Sequence, residues 1–272
     1  MRVLKFGGSS VANAQNIKLV LDIVVNKAKE EKLIVVVSAF SKITDLLQLA
    51  SQKAAAGDES FKEILADLET KHLDALKELI PVSEQSSLLS HIKRIINHLE
   101  TLLDGCYLLG ELSPRTSDTI LSFGELLSSY IIAEALKQKL KNSSYKDSRE
   151  LIKTNNSFGK AVVNFDVSNK LIVDFFASNE NQVVVMPGFI AASLDGINTT
   201  LGRGGSDYTA AILAGALHAN ELEIWTDVNG MFTANPKIVK QAQPIAFISY
   251  QEAMELSHFG AKVLYPPTIQ PV

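Results

Sequence analysis

The chain has 272 residues, 46% hydrophobic and 21% charged, with a formal net charge of -4. Such a balance gives a substantial core and no basic footprint for nucleic acid, while local lysines can still draw an anion into a cleft. A single cysteine, Cys106, excludes an intrachain disulfide.

Val3 to Phe6 is a short apolar run that stops at Gly7-Gly8-Ser9-Ser10. Ile17, Val20, Leu21, Val24 and Ala28 then recur at helical spacing, and Leu33 to Val37 reads as a buried strand. Strand, helix, strand makes a βαβ unit, which predicts a parallel sheet with helices on its faces. Residues 44–140 carry successive leucine and isoleucine stripes and read as almost wholly helical. Asn142-Ser143-Ser144 reads as a loop. Strands are predicted at Val183 to Met186 and at Glu223 to Thr226, with an alanine-rich helix from Tyr208 to His218 between them. A last helix is expected from Tyr250 to Phe259, capped by Gly260. The N-terminus lacks the apolar run of a signal peptide, and no continuous apolar run approaches the roughly 18 residues that span a bilayer. The expectation is a cytoplasmic protein without a membrane partner. Pro266-Pro267-Thr268-Ile269-Gln270-Pro271-Val272 adds no terminating element, which predicts a piece of a longer chain.

Two glycine-rich turns precede helices. Lys5-Phe6-Gly7-Gly8-Ser9-Ser10 places a cation beside backbone N–H groups, an arrangement suited to an anion. It is equally a plain strand-to-helix turn with a solvated lysine. It is neither a P-loop nor GxGxxG. Gly202-Arg203-Gly204-Gly205-Ser206-Asp207 adds a bidentate donor for carboxylate or phosphate, although Ser206 or Asp207 also reads as an N-cap. Thr226-Asp227-Val228-Asn229-Gly230 is ordinary turn chemistry at the end of a strand, where α/β folds place their sites. Taken alone, Glu125 reads as a solvated helix glutamate and Lys262 as a surface lysine. The histidines show no metal-ligand spacing.

In order, Lys5-Phe6-Gly7-Gly8-Ser9-Ser10, Leu201 to Asp207, Trp225 to Gly230 and Phe259-Gly260-Ala261-Lys262-Val263-Leu264 resemble the aspartokinases of the amino-acid kinase superfamily. Met1 to Asn13 and Ser249 to Ser257 resemble in particular the kinase part of bifunctional aspartokinase–homoserine dehydrogenases. The resemblance implies an α/β three-layer αβα sandwich around a mostly parallel central sheet, with a helical insertion. Residues 1–272 would form one kinase domain. Its amino-acid lobe would span about 1–190, with a helical subdomain at about 44–140, and its ATP lobe about 191–272. Regulatory ACT-type domains would be absent, and any homodimer would use the kinase fold itself.

The resemblance also implies an activity: transfer of the ATP γ-phosphate, with Mg²⁺, to the side-chain carboxylate of L-aspartate, opening lysine, threonine and methionine biosynthesis. Lys5, Gly7, Gly8 and Ser9 match the segment that meets the transferring phosphate. Ser38, Ala39 and Thr44 match the aspartate-side loop, Glu125 the residue that binds the amino group, and Arg203 with Ser206 the carboxylate grip. Asp207 matches the acid that organises the catalytic lysines, Lys5 and Lys262. Thr226, Asp227, Phe232, Lys237, Lys262 and Val263 match nucleotide-side positions. Family members usually carry Tyr, Asp and Arg where this chain has Phe232, Asn235 and Lys237, and His where it has Tyr265. A kinase for glutamate or acetylglutamate, or a non-catalytic binding module, is the alternative.

Overall fold

The computed structural model describes residues 1–236, 238–258, 268 and 270–272. The chain opens with β1 (Arg2–Phe6), α1 (Ala14–Lys27) and β2 (Leu33–Val37), the predicted βαβ unit. Four helices follow: α2 (Ile43–Ala55), α3 (Phe61–Leu79), α4 (Val82–Leu109) and α5 (Pro114–Lys139). Next come β3 (Ser143–Tyr145), α6 (Ser148–Leu151), β4 (Lys153–Thr154), α7 (Phe165–Ser178) and β5 (Val183–Pro187). The chain continues through β6 (Ile190–Ser193), β7 (Asn198–Thr200), α8 (Gly205–Ala216), β8 (Glu221–Trp225) and α9 (Tyr250–His258).

The main sheet has five strands in the order β3-β5-β2-β1-β8, all parallel. Side chains alternate between its faces. Leu4, Phe6, Leu33, Val35, Val37, Val183 and Val185 join one core with α1 to α5. Val3, Ile34, Val36, Val184 and Met186 join a second core, with Ile172 and Phe176 of α7 and Ala210 and Leu213 of α8. The fold is therefore a three-layer αβα sandwich, as expected. A small second sheet, β4-β6-β7, lies beside it.

Three expectations need correction. Ser143 and Ser144 are strand, not loop: β3 pairs with Val183 to Val185 of β5, and that neighbour supplies what two serines lack in strand propensity. Helix α8 starts at Gly205, three residues earlier than predicted, and β8 runs Glu221–Trp225 rather than from Glu223 to Thr226. Helix α5 is long and apolar enough to cross a membrane by length and composition, but 72% of the relevant window is buried inside the fold. Phe259 and Gly260, the expected end and cap of α9, lie outside the described residues.

The C-terminal ends of β1, β2 and β5 and the start of α8 converge. Gly188 follows β5, and a Cβ there would lie 2.6 Å from Ser206 Cβ and 2.8 Å from Ser206 Cα. Only glycine permits that approach. Gly188→Ala is therefore expected to lower stability by about 1–3 kcal/mol through overpacking. A reduced urea midpoint at unchanged m-value would show it. Unchanged stability would mean that α8 shifts freely.

Candidate functional site

The converging ends enclose a cleft of about 650 Å³. Its wall includes Lys5, Gly8 and Ser9 after β1, Ser38, Ala39 and Thr44 after β2, Glu125 of α5, and Arg203, Ser206 and Asp207 at the start of α8. Ten of the sequence-predicted positions, distant along the chain, thus meet in one cavity. They lie at the C-terminal edge of parallel strands, the usual place for a site in such a sheet.

Lys5 is on the same face of β1 as Val3, turned toward α8, and is only 9% exposed, so the solvated reading fails. Its Nζ lies 2.5 Å from Asp207 Oδ1, and both side chains are largely buried. Asp207 Oδ1 accepts no well-directed hydrogen bond, so charge and proximity hold the pair. An ammonium has three N–H groups, and this contact leaves Lys5 able to donate to an anion in the cleft. Gly7 lies behind the wall: a Cβ there would come 3.3 Å from Lys5 Nζ.

The turn before α8 is set by backbone geometry. Gly202 and Gly204 have φ of 72° and 69°, in the left-handed region that favours glycine. Gly204 is the N-cap of α8 and makes no side-chain cap bond. Ser206 and Asp207 therefore stand in the first turn of the helix rather than capping it, near the positive end of its dipole. Arg203, one residue before the cap, is exposed on the cleft wall.

Glu125 departs most from its bland reading. It is 3% exposed. Oε1 accepts the Ala39 N–H at 3.2 Å, while Oε2 is buried without a partner. Burial pushes its carboxyl up to about 8, against the opposing hydrogen bond from Ala39. A buried, half-satisfied acid on a cleft wall is suited to a cationic ligand group.

Several residues escaped the sequence reading. Phe40, Ser41, Lys42, Asp45, Gln48 and Phe189 also line the cleft. Phe40 stacks on His72, ring centroids 4.8 Å apart, and burial holds that imidazole down at about 4. Lys71 Nζ donates to Ser41 O at 2.8 Å, bracing the same loop. Thr226, Asp227 and Phe232 stand apart from this cavity, beyond the end of β8. Thr226 Oγ1 bonds Asp227 Oδ1 at 3.1 Å, and Phe232 bridges to Pro244. Gly7 N–H donates to Trp225 O, so these residues start beside the β1 turn. Lys237, Lys262, Val263 and Tyr265 lie outside the described residues. Among the described residues, no group of three or more His, Cys, Asp or Glu could hold a metal ion.

The whole chain, residues 1–272, matches the model of the amino acid kinase family. The chain belongs to that family. It is 37% identical over 271 residues to bifunctional aspartokinase/homoserine dehydrogenase 2, chloroplastic, of Arabidopsis thaliana, covering 99% of this chain and 30% of that protein. It is 35% identical over 271 residues to lysine-sensitive aspartokinase 3 of Escherichia coli (strain K12), covering 99% and 58%. Among solved structures, E. coli aspartokinase III in complex with aspartate and ADP superposes with a TM-score of 0.89 at 35% identity, over 100% of this chain and 59% of that one. The chain spans 30% to 59% of the length of these relatives. As a member of the amino acid kinase family, it carries its glycine turns, Arg203 and Lys5–Asp207 around one cleft.

Glu125 makes stability depend on pH. Its ordinary value is 4.5, and between there and about 8 the folded chain holds a proton that the unfolded chain has released. Its contribution to stability therefore falls as pH rises through that window. Relative to wild type, Glu125→Gln should gain stability between about pH 5 and about pH 8, on the order of a few kcal/mol. Urea midpoints across that range check it, and a constant difference between the two proteins would sink the assignment.

Proposed function

We propose that this chain transfers the γ-phosphate of ATP to the side-chain carboxylate of L-aspartate, releasing ADP and 4-phospho-L-aspartate. The observation that carries this reading is one cleft holding a guanidinium, a buried and half-satisfied carboxylate, and a carboxylate-steadied lysine. Those groups answer the three charges of an amino dicarboxylic acid that must meet a phosphate. The likeness to an aspartokinase named for its complex with aspartate and ADP supports the choice of substrates.

The acceptor carboxylate has an unperturbed pKa of about 3.9, so it is ionised at neutral pH and needs no general base. The obstacle is repulsion between two anions, and catalysis reduces to positioning and charge stabilisation. Lys5 meets the transferring phosphoryl group, with Asp207 holding its ammonium in place rather than taking a proton. Lys262 is assigned the second flank on its sequence match. Arg203 forms paired hydrogen bonds to the α-carboxylate, and Ser206 adds a hydroxyl beside it. Ser38, Ala39 and Thr44 close the pocket around the reacting carboxylate. Glu125 Oε2 receives the α-ammonium; a cation there favours the ionised acid, so binding expels the proton that burial retains.

On the nucleotide side, Gly8 and Ser9 offer backbone and hydroxyl donors to the phosphates, Gly7, whose N–H is taken by Trp225 O, leaves room for Lys5 Nζ beside the turn, and Thr226, Asp227 and Phe232 follow the adjoining strand. Mg²⁺ keeps most of its ligands as waters and phosphate oxygens and needs only one or two carboxylates. The residues present fit an ion that arrives on the nucleotide, with Asp207 the nearest carboxylate to the phosphate lysine; such an ion would neutralise phosphate charge. The lobe of about 1–190 would hold most of the amino-acid site and that of about 191–272 most of the nucleotide site, with Gly8 and Ser9 reaching to the phosphates and Arg203 and Ser206 to the amino acid across the shared cleft.

ADP formation measured by a coupled assay across aspartate, glutamate, acetylglutamate and succinate tests the reading. Aspartate should be strongly preferred; preference for another acid, or nucleotide binding without turnover, overturns it. Lys5→Met should lower turnover by orders of magnitude with the fold intact. Arg203→Ala should raise the KM for aspartate far more than that for ATP. A lost charged hydrogen bond costs about 1.5–3 kcal/mol, roughly tenfold to hundredfold in kcat/KM. Glu125→Ala should also weaken discrimination against succinate, which lacks the amino group.

A further inference from the structure

Helix α5 carries a second buried acid that the proposed chemistry does not use. Asp118 is 1% exposed and lies about two turns before Glu125, on the same side of the helix. Its carboxylate accepts four hydrogen bonds from two residues. Gly159 N–H reaches both oxygens at 3.0 Å, Thr200 N–H donates to Oδ2 at 2.9 Å, and the Thr200 hydroxyl donates to Oδ1 at 2.9 Å. Burial raises this carboxyl, and the only opposition comes from these hydrogen bonds, not from a cation.

Both donors belong to the backbone that supports Arg203. Thr200 ends β7 and runs directly into Leu201 and Gly202. Its carbonyl accepts the Ala161 N–H at 3.0 Å, closing the Gly159 loop against the same strand. Gly202 then packs on that loop, since a Cβ on it would sit 3.0 Å from Gly159 O. Leu201 N–H donates to Phe189 O at 2.9 Å, and Phe189 lines the cleft.

We propose that Asp118 is a positioning residue: it fixes the Gly202–Asp207 turn to α5 and so sets the distance between Arg203 and Glu125. An amino acid gripped at its α-carboxylate by one and at its α-ammonium by the other needs that separation held. A misplacement of about 1 Å can cost about a hundredfold. The proposal rests on the reading of the cleft as an aspartate site.

Asp118→Ala should raise the KM for aspartate about tenfold or more and leave the KM for ATP within about twofold. Asp118→Asn should restore most of the loss. One amide oxygen can accept both backbone N–H groups, and the Thr200 hydroxyl can turn to accept from the amide. Equal rises in both KM values, a fall in kcat alone, or an Asn variant as impaired as Ala overturns the proposal. Should Asp118→Ala fail to fold, Thr200→Val decides, because it removes only the hydroxyl donor. The KM for aspartate should then rise about threefold, with Thr200→Ser normal, and an unchanged KM overturns the proposal. Wild-type turnover in the same assay separates the two claims. If aspartate gives no ADP, the reading of the cleft fails, and amide hydrogen exchange tests the positioning alone. Exchange quickened at Gly159 and residues 200–203 in Asp118→Ala, but not along β1, supports it; exchange equal to wild type overturns it.

Discussion

A lysine one residue from the end of a buried central strand loses most of its water, a loss too large to leave uncompensated. Lys5 is in that position, and Asp207 compensates it. Much of the surrounding architecture follows from bringing that carboxylate close enough. Asp207 comes from α8, in the layer opposite α1, so the helix must start directly over the strand ends. Gly188 and Gly205 allow this because neither has a side chain to hold the layers apart. Once formed, the pair puts a cation on the cleft wall at the end of the strand. Partial desolvation strengthens its pull on a phosphate well beyond that of a surface lysine.

Helix α5 provides the opposite wall in a different way. Where it meets the loop after β2 it carries small and hydroxylated residues among its apolar ones. Ser122, Ser128 and Ser129 are all buried, and Ser128 Oγ donates to Ser38 O at 2.8 Å. With the Ala39 N–H on Glu125, the helix holds the loop after β2 by two hydrogen bonds. A Cβ on Gly124 would lie 2.9 Å from Ala39 Cβ, so this contact needs the missing side chain. Burying Glu125 there without a cation costs stability, and the fold retains it where a ligand can satisfy it. Asp118, by contrast, is saturated with hydrogen bonds from the protein itself. Two acids on one helix thus differ: one keeps an unpartnered oxygen at the cleft wall, and the other is saturated by the protein.

What the sequence disclosed and what it hid divide along physical lines. Continuous apolar runs at Val3 to Phe6, Leu33 to Val37 and Val183 to Met186 read as strands because both sheet faces are covered. The turn at Gly202 and Gly204 was legible because its backbone conformation needs glycine, and the one at Gly8 because a Cβ there would press to 3.1 Å from Ala39 O. Ser143 to Tyr145 was not, because an edge strand borrows its stability from a neighbour far away in sequence. The burial of Glu125 was equally hidden: the serines and Gly124 around it look like a solvated face, and only α5 pressed against the sheet makes that face interior. Resemblance named the residue; composition and periodicity did not. Asp118 gave no local sign, since its partners, Gly159 and Thr200, lie far along the chain.

Strain marks the same cleft independently of charge. Among the described residues three non-glycine positions have positive φ, and two of them, Lys42 at 68° and Phe189 at 65°, line the cavity. Such conformations cost about 1–3 kcal/mol each and persist only where the surroundings over-determine them. Around Phe189 they do: its N–H donates to Thr209 Oγ1 at 3.0 Å, its carbonyl accepts from Leu201, and its ring abuts Gly205. Lys42 opens α2 without a side-chain cap, and Lys71 bonds the carbonyl just before it. In both loops the strained residue follows a strand that ends at the cleft, and it lines the cavity. An unstrained turn would need fewer ties to α8 and α3 and would leave that residue free to reorient. The strain is therefore tolerated for placement: it fixes an aromatic residue and a lysine on two separate loops that line one cleft.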